Sequence, residues 1–365
     1  MHRGAVAEID CSALLHNLRT LEAMVNHKPV IAVVKADAYG HGAVEVARAL
    51  VTNGIDVLAV AYTEEARRLR EAGIQVRILV LFDQTDVPAY FDLNLIPVLH
   101  DKKTASAFSK EAQKRKKSIP VHVKIDTGMG RLGLRPESAV ADVMEIAKLE
   151  GMALEGLLSH FSEADLEDRT YAVHQLGLFR ELGGEIVRST GIRLMRHMAN
   201  SAAICSFPEA SLDAVRPGIA LYGYAPFKRT FGFRPVMKVK TTVLAVRTVP
   251  AGTPVSYGRT FVTQRDSRIA VVSLGYADGF SRLFSNNAEM LVHGCRVPVA
   301  GRVCMDLTLL DVTDAGQVQE GDEVVVLGTQ QGQTITADEL SDRINTIPYE
   351  VLTSLGSRTR KEYIN

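Results

Sequence analysis

Lys35 directly follows five apolar residues, Val30 to Val34. Low-dielectric walls disfavour its charged form, lower its pKa and leave an amine able to attack a carbonyl. The ordinary outcome for a lysine ending an apolar strand is a packed stem with its head in solvent. The next residues argue for more. Tyr39 offers a hydroxyl, and Gly40 and Gly42 let backbone come close to a ligand. A second stretch, Asp126 followed by Thr127-Gly128-Met129-Gly130-Arg131-Leu132-Gly133, sets an arginine on a glycine-rich loop. It matches GxGxxG literally, but a dinucleotide fingerprint needs glycines that open the helix, and the helical pattern here starts around Pro136. An arginine there better suits an oxygen anion, a carboxylate or a phenolate.

His160, the pair Asn200 and Ser201, and Arg216 with Pro217-Gly218 each follow a further strand-like run. Taken singly, His160 reads as a structural histidine, Arg216 as half of a rim ion pair, and Lys114 to Lys117 as a solvated helix end. Tyr257 in VSYGRTF and Tyr276 in GYADGF read as hairpin tyrosines. Gathered at one place, a lysine, two arginines, a histidine and small polar groups make a mouth for a small anionic ligand. The four cysteines, Cys11, Cys205, Cys295 and Cys304, are scattered with no CxxC pair, which argues against a disulfide framework and a structural zinc site. No metal is expected.

The elements that must position these groups are legible as patterns. Apolar runs at 30–34, 56–60, 77–81, 95–99, 121–125, 154–159, 193–198 and 212–215 alternate with helical stretches such as 43–54, 64–73, 103–117 and 137–151. Near-continuous apolar runs suit strands buried on both faces of a parallel sheet. Eight of them predict an α/β fold with an N-terminal (β/α)8 barrel, whose reactive groups stand where strands end. On pattern alone a doubly wound open sheet stays possible. Past about residue 235 strand-like segments follow one another with PAG, GY, HG and EGD turns, and only 337–344 reads as helical. The expected division is a barrel over 11–235 and a C-terminal mainly β domain over 236–365, with 1–10 joining the latter.

The 365 residues are 46% hydrophobic and 23% charged, enough to bury real cores. Lys plus Arg number 42 and Asp plus Glu number 42, so no global positive field is available for nucleic acid. No run approaches the ~18 apolar residues of a membrane span, and the opening MHRGAVAEID has no apolar signal core. A cytoplasmic protein with no nucleic-acid or membrane partner is expected.

Taken together the residues resemble the alanine racemase family, pyridoxal-phosphate enzymes built from a barrel and a β domain. The likeness runs in order through AVVKADAYGHG (32–42), KIDTGMGRLGL (124–134), LLSHFSEAD (157–165), HMANSAA (197–203), VRPGIALYG (215–223), VSYGRTF (255–261), GYADGF (275–280), GRVCMDL (301–307) and INTIPYEVLTSLGSR (344–358). The resemblance implies that Lys35 forms the Schiff base with pyridoxal phosphate, and that Tyr39, Ser201, Gly218, Ile219 and Tyr349 hold its phosphate. His160 and Asn200 are further cofactor-site residues by the same likeness. Arg216 would face the pyridine nitrogen. An arginine does not readily give up its proton, so the ring stays a poorer electron sink and transamination is disfavoured.

Racemisation removes a proton from one face of the α-carbon and delivers one to the other, for which two bases are the simpler arrangement. The resemblance assigns Lys35 to one face and Tyr257, lent by a partner subunit, to the other. A free tyrosine titrates near ~10 and needs support to act near neutrality. His160, bonded to Tyr257 and Arg216, would give it. Arg131 would meet the cofactor phenolate and the substrate carboxylate, Met305 and Asp306 would line the pocket, and Tyr276 with Tyr349 would narrow its entrance to a methyl side chain. Lys124 matches a position often carbamylated, the carbamate orienting Arg131. The implied function is interconversion of L- and D-alanine, a peptidoglycan precursor, by a homodimer with shared sites. The alternatives are a broader racemase acting on serine or basic amino acids, a decarboxylase of the same scaffold, and a non-catalytic coenzyme carrier. The VSYGRTF tyrosine and Arg216 weigh against decarboxylation, and the β domain weighs against a carrier.

Overall fold

The structure is a computed structural model and describes residues 4–225, 227 and 231–365. It divides into two compact units. One comprises Leu15–Ala36 and Ala43–Arg234, the other Met1–Leu14, Asp37–Gly42 and Pro235–Asn365. The short Asp37–Gly42 segment, read from sequence as the first barrel loop, thus groups with the β-rich unit.

The chain opens with β1 (Val6–Asp10) and α1 (Cys11–Met24). The first unit then alternates β2 (Ile31–Val33), α2 (Ala43–Thr52), β3 (Val57–Val60), α3 (Thr63–Glu71), β4 (Arg77–Val80), α4 (Val87–Asp92), β5 (Ile96–Leu99), α5 (Lys102–Arg115), β6 (Ile119–Lys124), α6 (Pro136–Ala147), β7 (Met152–Leu158), α7 (Thr170–Thr190), β8 (Met195–His197) and α8 (Ser201–Ser206). Strands β2 to β8 pair in chain order, all parallel. β2 and β5 are buried at every residue, as a sheet covered on both faces requires.

The eighth rung is not a strand. Residues 212–215 make single parallel bridges, His197 to Ala214 and Val30 to Val215. Backbone bonds nonetheless tie the segment to both sheet edges. Asp213 N donates to Arg196 O (3.0 Å) and Arg216 N to Ala199 O (2.8 Å) on one side. On the other, Ile31 N donates to Val215 O (2.8 Å) and Val33 N to Pro217 O (3.1 Å). These bonds close the barrel and remove the open-sheet reading. Leu212 at φ 35° and the missing N–H of Pro217 leave no room for a longer ladder.

In the second unit a nine-stranded sheet is built around the long β9 (Met237–Val249). After it in the chain come β10 (Pro254–Val255) and β11 (Phe261–Val262), which pair with each other in a separate small sheet, and then the sheet members β12 (Ser267–Val272), β13 (Glu289–Val292), β14 (Cys295–Pro298), β15 (Thr308–Asp311), β16 (Glu323–Gln330), β17 (Gln333–Ile335) and β18 (Arg360–Ile364). β1 lies between β9, antiparallel, and β18, parallel. Helix α9 (Ala337–Arg343) stands where the sequence predicts one, but α10 (Pro348–Arg358) does not appear in that prediction and corrects it. Pro348 at the first turn supplies a pre-set φ and needs no donor there, a start signal that the short apolar spacing after it obscured. Among the described residues no helix is long and apolar enough to cross a membrane, and no group of three or more His, Cys, Asp or Glu could hold a metal ion.

Candidate active site

Lys35 stands two residues beyond β2, after the fully buried Val34, and its Nζ lies 5.4 Å from the centre of the Phe82 ring. Arg131 Cζ stands over the same ring at 5.2 Å. One aromatic ring therefore attracts both cations. Burial first, then the Arg131 charge, lowers the Lys35 pKa, and Glu65 opposes them. Glu65 is itself a fixed point, since it accepts from Ala36 N (2.6 Å), Ala61 N (2.7 Å) and Tyr62 N (3.1 Å). The backbone after Lys35 is unusual. Ala36, Asp37, Ala38 and Tyr39 all have φ between 52° and 55°, a left-handed turn that costs L-residues roughly 1–2 kcal/mol each.

The glycine-rich loop is organised around Asp126. Its carboxylate accepts from Gly128 N (3.1 Å), Gly130 N (3.0 Å) and Arg131 N (3.1 Å). Those amides serve an internal anion rather than a pyrophosphate, and α6 begins only at Pro136, so the dinucleotide reading fails. Lys124 is buried, and its Nζ has no hydrogen-bond partner among the described residues. Desolvation, then Arg131 and Arg216, push its pKa down to about 8.

Arg216 is almost fully enclosed. Its Nη1 donates to His197 Nδ1 and to His197 O, both at 2.6 Å, and its Nη2 to Ser159 O at 2.6 Å. His160 Nδ1 lies 3.5 Å from the same Nη2. Burial pushes the guanidinium down to about 9, still above neutrality, so it keeps its charge. Burial, then Arg216, Arg131, Lys124 and Lys35, hold His160 well below its usual value, so its ring is neutral. Ser201 Oγ accepts from Gly218 N (2.9 Å) and Ala220 N (3.2 Å), which draws α8 and the 219–222 turn into one cradle. Asn200 caps α8 by accepting from Ala203 N at 3.0 Å.

The second unit gathers the other sequence-predicted residues. The Tyr39 and Tyr349 rings are 6.0 Å apart, and burial followed by Tyr349 raises the Tyr39 pKa, keeping its hydroxyl protonated. Gly40 packs on the backbone of α10, where a Cβ would meet Leu352 O at 2.5 Å. Tyr276 N donates to Cys304 O (3.0 Å) and Ala277 N to Met305 O (2.9 Å). Ser256 Oγ donates to Arg302 O at 2.6 Å. Tyr257, Tyr276 and Met305 thus ride on three linked turns, and all are exposed, Tyr257 at 66%. Asp306 Oδ1 lies 3.5 Å from Arg358 Nη2.

Both halves of the chain match family models. "Alanine racemase, N-terminal domain" covers residues 9–226 and "Alanine racemase, C-terminal domain" covers 236–363. The chain belongs to the alanine racemase family. It is 48% identical over 368 residues to an alanine racemase of Thermodesulfovibrio yellowstonii, covering 100% of this chain and 99% of that one. Alanine racemase from Bartonella henselae, solved with covalently bound pyridoxal phosphate, superposes with a TM-score of 0.89 at 33% identity, covering both chains completely. That of Bacillus anthracis, solved with bound L-Ala-P, gives 0.92 at 32%, covering 100% of this chain and 96% of that one. The family is one of pyridoxal-phosphate-dependent isomerases.

The residues present fit that coenzyme. The barrel unit assembles Lys35, Lys124, Arg131 and Arg216, while Glu65 and Asp126, the carboxylates acting on them, already accept backbone N–H groups. Such a gathering of cations, with Lys124 and Arg216 buried, calls for an anion, and the orphaned Lys124 amine marks where polar company is missing. Sequence reasoning missed Phe82, Glu65, His122 and His197. Phe82 stands just past the β4 run, where the same rule that singled out Lys35 would have found it.

Proposed function

We propose that this chain interconverts L-alanine and D-alanine with pyridoxal phosphate, using two bases on opposite faces of the α-carbon. Bound, the coenzyme supplies a ring that withdraws electrons and so stabilises negative charge at that carbon. The rest falls to the protein. Burial and the Arg131 charge lower the Lys35 pKa, which eases loss of its proton and suits the amine both to link the coenzyme and to take a proton. Tyr257 is the second base, and the neutral His160, whose Nδ1 faces Arg216, presents its Nε2–H for bonding. Arg216, charged and unable to accept a hydrogen bond, meets the ring nitrogen and leaves it without a proton. Ser201, Gly218, Ile219, Tyr39 and Tyr349 hold the phosphate, with Asn200 fixing the α8 end. Arg131 grips the substrate carboxylate. Met305, Asp306, Tyr276 and Tyr257 of a partner subunit complete the pocket, which makes the active form a homodimer. Carbon dioxide adds to the Lys124 amine as a carbamate that orients Arg131. A cytoplasmic supply of D-alanine for peptidoglycan accords with this activity.

The observation that carries the reading is that Lys35 and Arg131 both lie against the Phe82 ring, in a barrel that also buries an unpartnered Lys124 amine. A chiral assay of L-alanine, L-serine and L-lysine with added coenzyme tests it. D-alanine forms fastest, and Lys35→Ala loses both the violet absorbance of bound coenzyme and, by roughly 10³-fold or more, the turnover. Faster turnover of serine or lysine moves the reading to the broader racemase, and full turnover by Lys35→Ala ends it.

A further inference from the structure

A polar column runs through the barrel unit behind Arg216, and its last member has no role in the chemistry above. His122 Nδ1 lies 2.8 Å from His197 Nε2, and His197 Nδ1 takes the Arg216 Nη1 bond at 2.6 Å. The direction of every bond is fixed. A guanidinium can only donate, so His197 Nδ1 is bare and its proton sits on Nε2. That N–H donates to His122 Nδ1, which is bare in turn. A proton on His122 Nδ1 would point at another N–H and break the chain. Burial, helped by the Arg77 and Arg216 charges, holds the His122 pKa at about 3, so the bare nitrogen persists at any working pH.

The barrel is shaped to admit this ring. The register of β6 against β7 shifts between Val121 and His122, which passes over Glu155 and sets Gly156 opposite His122. A Cβ at Gly156 would fall 2.5 Å from His122 Nδ1. A bulge and a glycine together make the space, a local departure from regular pairing of the kind that re-aims a side chain.

We infer that His122 is a positioning residue for the reaction: seated over Gly156, it takes the His197 N–H and so fixes the imidazole against which the Arg216 guanidinium is held. The inference rests on the reading that Arg216 meets the ring nitrogen of the coenzyme. Without His122 the His197 N–H is left unanswered in the core and its ring is free to turn, which loosens one of the contacts that aim Arg216. The expected symptom is a change in the fate of substrate rather than simple loss of protein. A ring nitrogen no longer held bare draws more electron density, so some turnovers convert alanine to pyruvate while the coenzyme takes up the amino group as pyridoxamine phosphate.

The test compares wild type with His122→Leu and His122→Asn, whose amide oxygen can stand in for Nδ1. In protein labelled with ¹⁵N-histidine, with and without coenzyme, His197 Nε2–H gives a downfield proton protected from solvent exchange. It disappears in His122→Leu and returns in His122→Asn. Pyruvate formed per racemisation rises on the order of tenfold in His122→Leu and stays near wild type in His122→Asn. Persistence of the proton in His122→Leu, failure of His122→Asn to restore it, or an unchanged pyruvate ratio in His122→Leu each overturns the inference. A wild type that makes no D-alanine overturns the functional reading instead, while the imidazole proton still reports whether His122 holds His197.

Discussion

Lys124 is an amine buried among cations, and its protonation changes within the working range of pH. With a pKa near 8, about one tenth of it is neutral at pH 7, against well under a thousandth for a lysine at its ordinary value. Only the neutral amine adds carbon dioxide, losing a proton as the carbamate forms. Carbamate on Lys124 is therefore expected to increase as pH rises through about 8, where exposed lysines hardly react. Labelled with ¹³C-bicarbonate, the wild type shows a carbamate carbon signal that Lys124→Met lacks. A signal equal in the two proteins, or one that weakens between pH 7 and 9, refutes the assignment. Much of this site is legible in the residue types. Lys35, Arg131, His160 and Arg216 each stand just past an apolar run, and a charged group there is conspicuous. Phe82 and His100 obey the same placement, yet a phenylalanine declares no chemistry and one more histidine reads as structural. Glu65 is illegible for another reason, because it binds Ala36 N across 29 positions of sequence.

Elements with many like-minded residues declare themselves, whereas those fixed by one close approach do not. Barrel strands such as β2 and β5 are plain because their apolar runs serve both faces of a sheet, whereas the run at 193–198 is short and only partly apolar. The eighth rung depends on single bridges, for which 212–215 carries no pattern beyond a few apolar residues. Helix α10 depends on glycine contact in the second unit: a Cβ at Gly356 would fall 2.1 Å from Gly40 O. Helix propensity alone favours Gly356→Ala by about 1 kcal/mol. The contact reverses the sign, since backbone cannot give way as a side chain can, and a loss of about 2 kcal/mol is expected. Tyr39 and Tyr349 ride on the two segments that would separate, so affinity for the coenzyme phosphate should fall along with stability. Urea unfolding of the apoprotein together with a coenzyme titration checks both. A stabilised Gly356→Ala with unchanged affinity would show that this contact does not seat α10.

For the whole molecule the decisive matter is which chain supplies which base. Lys35 belongs to one unit and Tyr257 to the other. Two-thirds of the Tyr257 surface is open in a single chain, on a turn linked to those bearing Tyr276 and Met305. In the proposed role a phenol that takes protons has little use for bulk water, which competes for its bonds. A second copy covering that surface would remove the water and bring the phenol to the amine. A site shared between two chains leaves an arithmetic signature. Mix equal amounts of Lys35→Ala and Tyr257→Ala, each inactive alone, and let subunits exchange. With random pairing about half the dimers are mixed, and each mixed dimer has one site with both bases and one with neither, so activity returns to about one quarter of wild type. If a single chain supplies both bases, no pairing restores a site and the mixture stays as inactive as its parents. Recovery that rises with exchange time and levels near that fraction is the result two-chain catalysis requires. Exchanged, mixed dimers with no recovery would place the phenol and the amine in the same subunit.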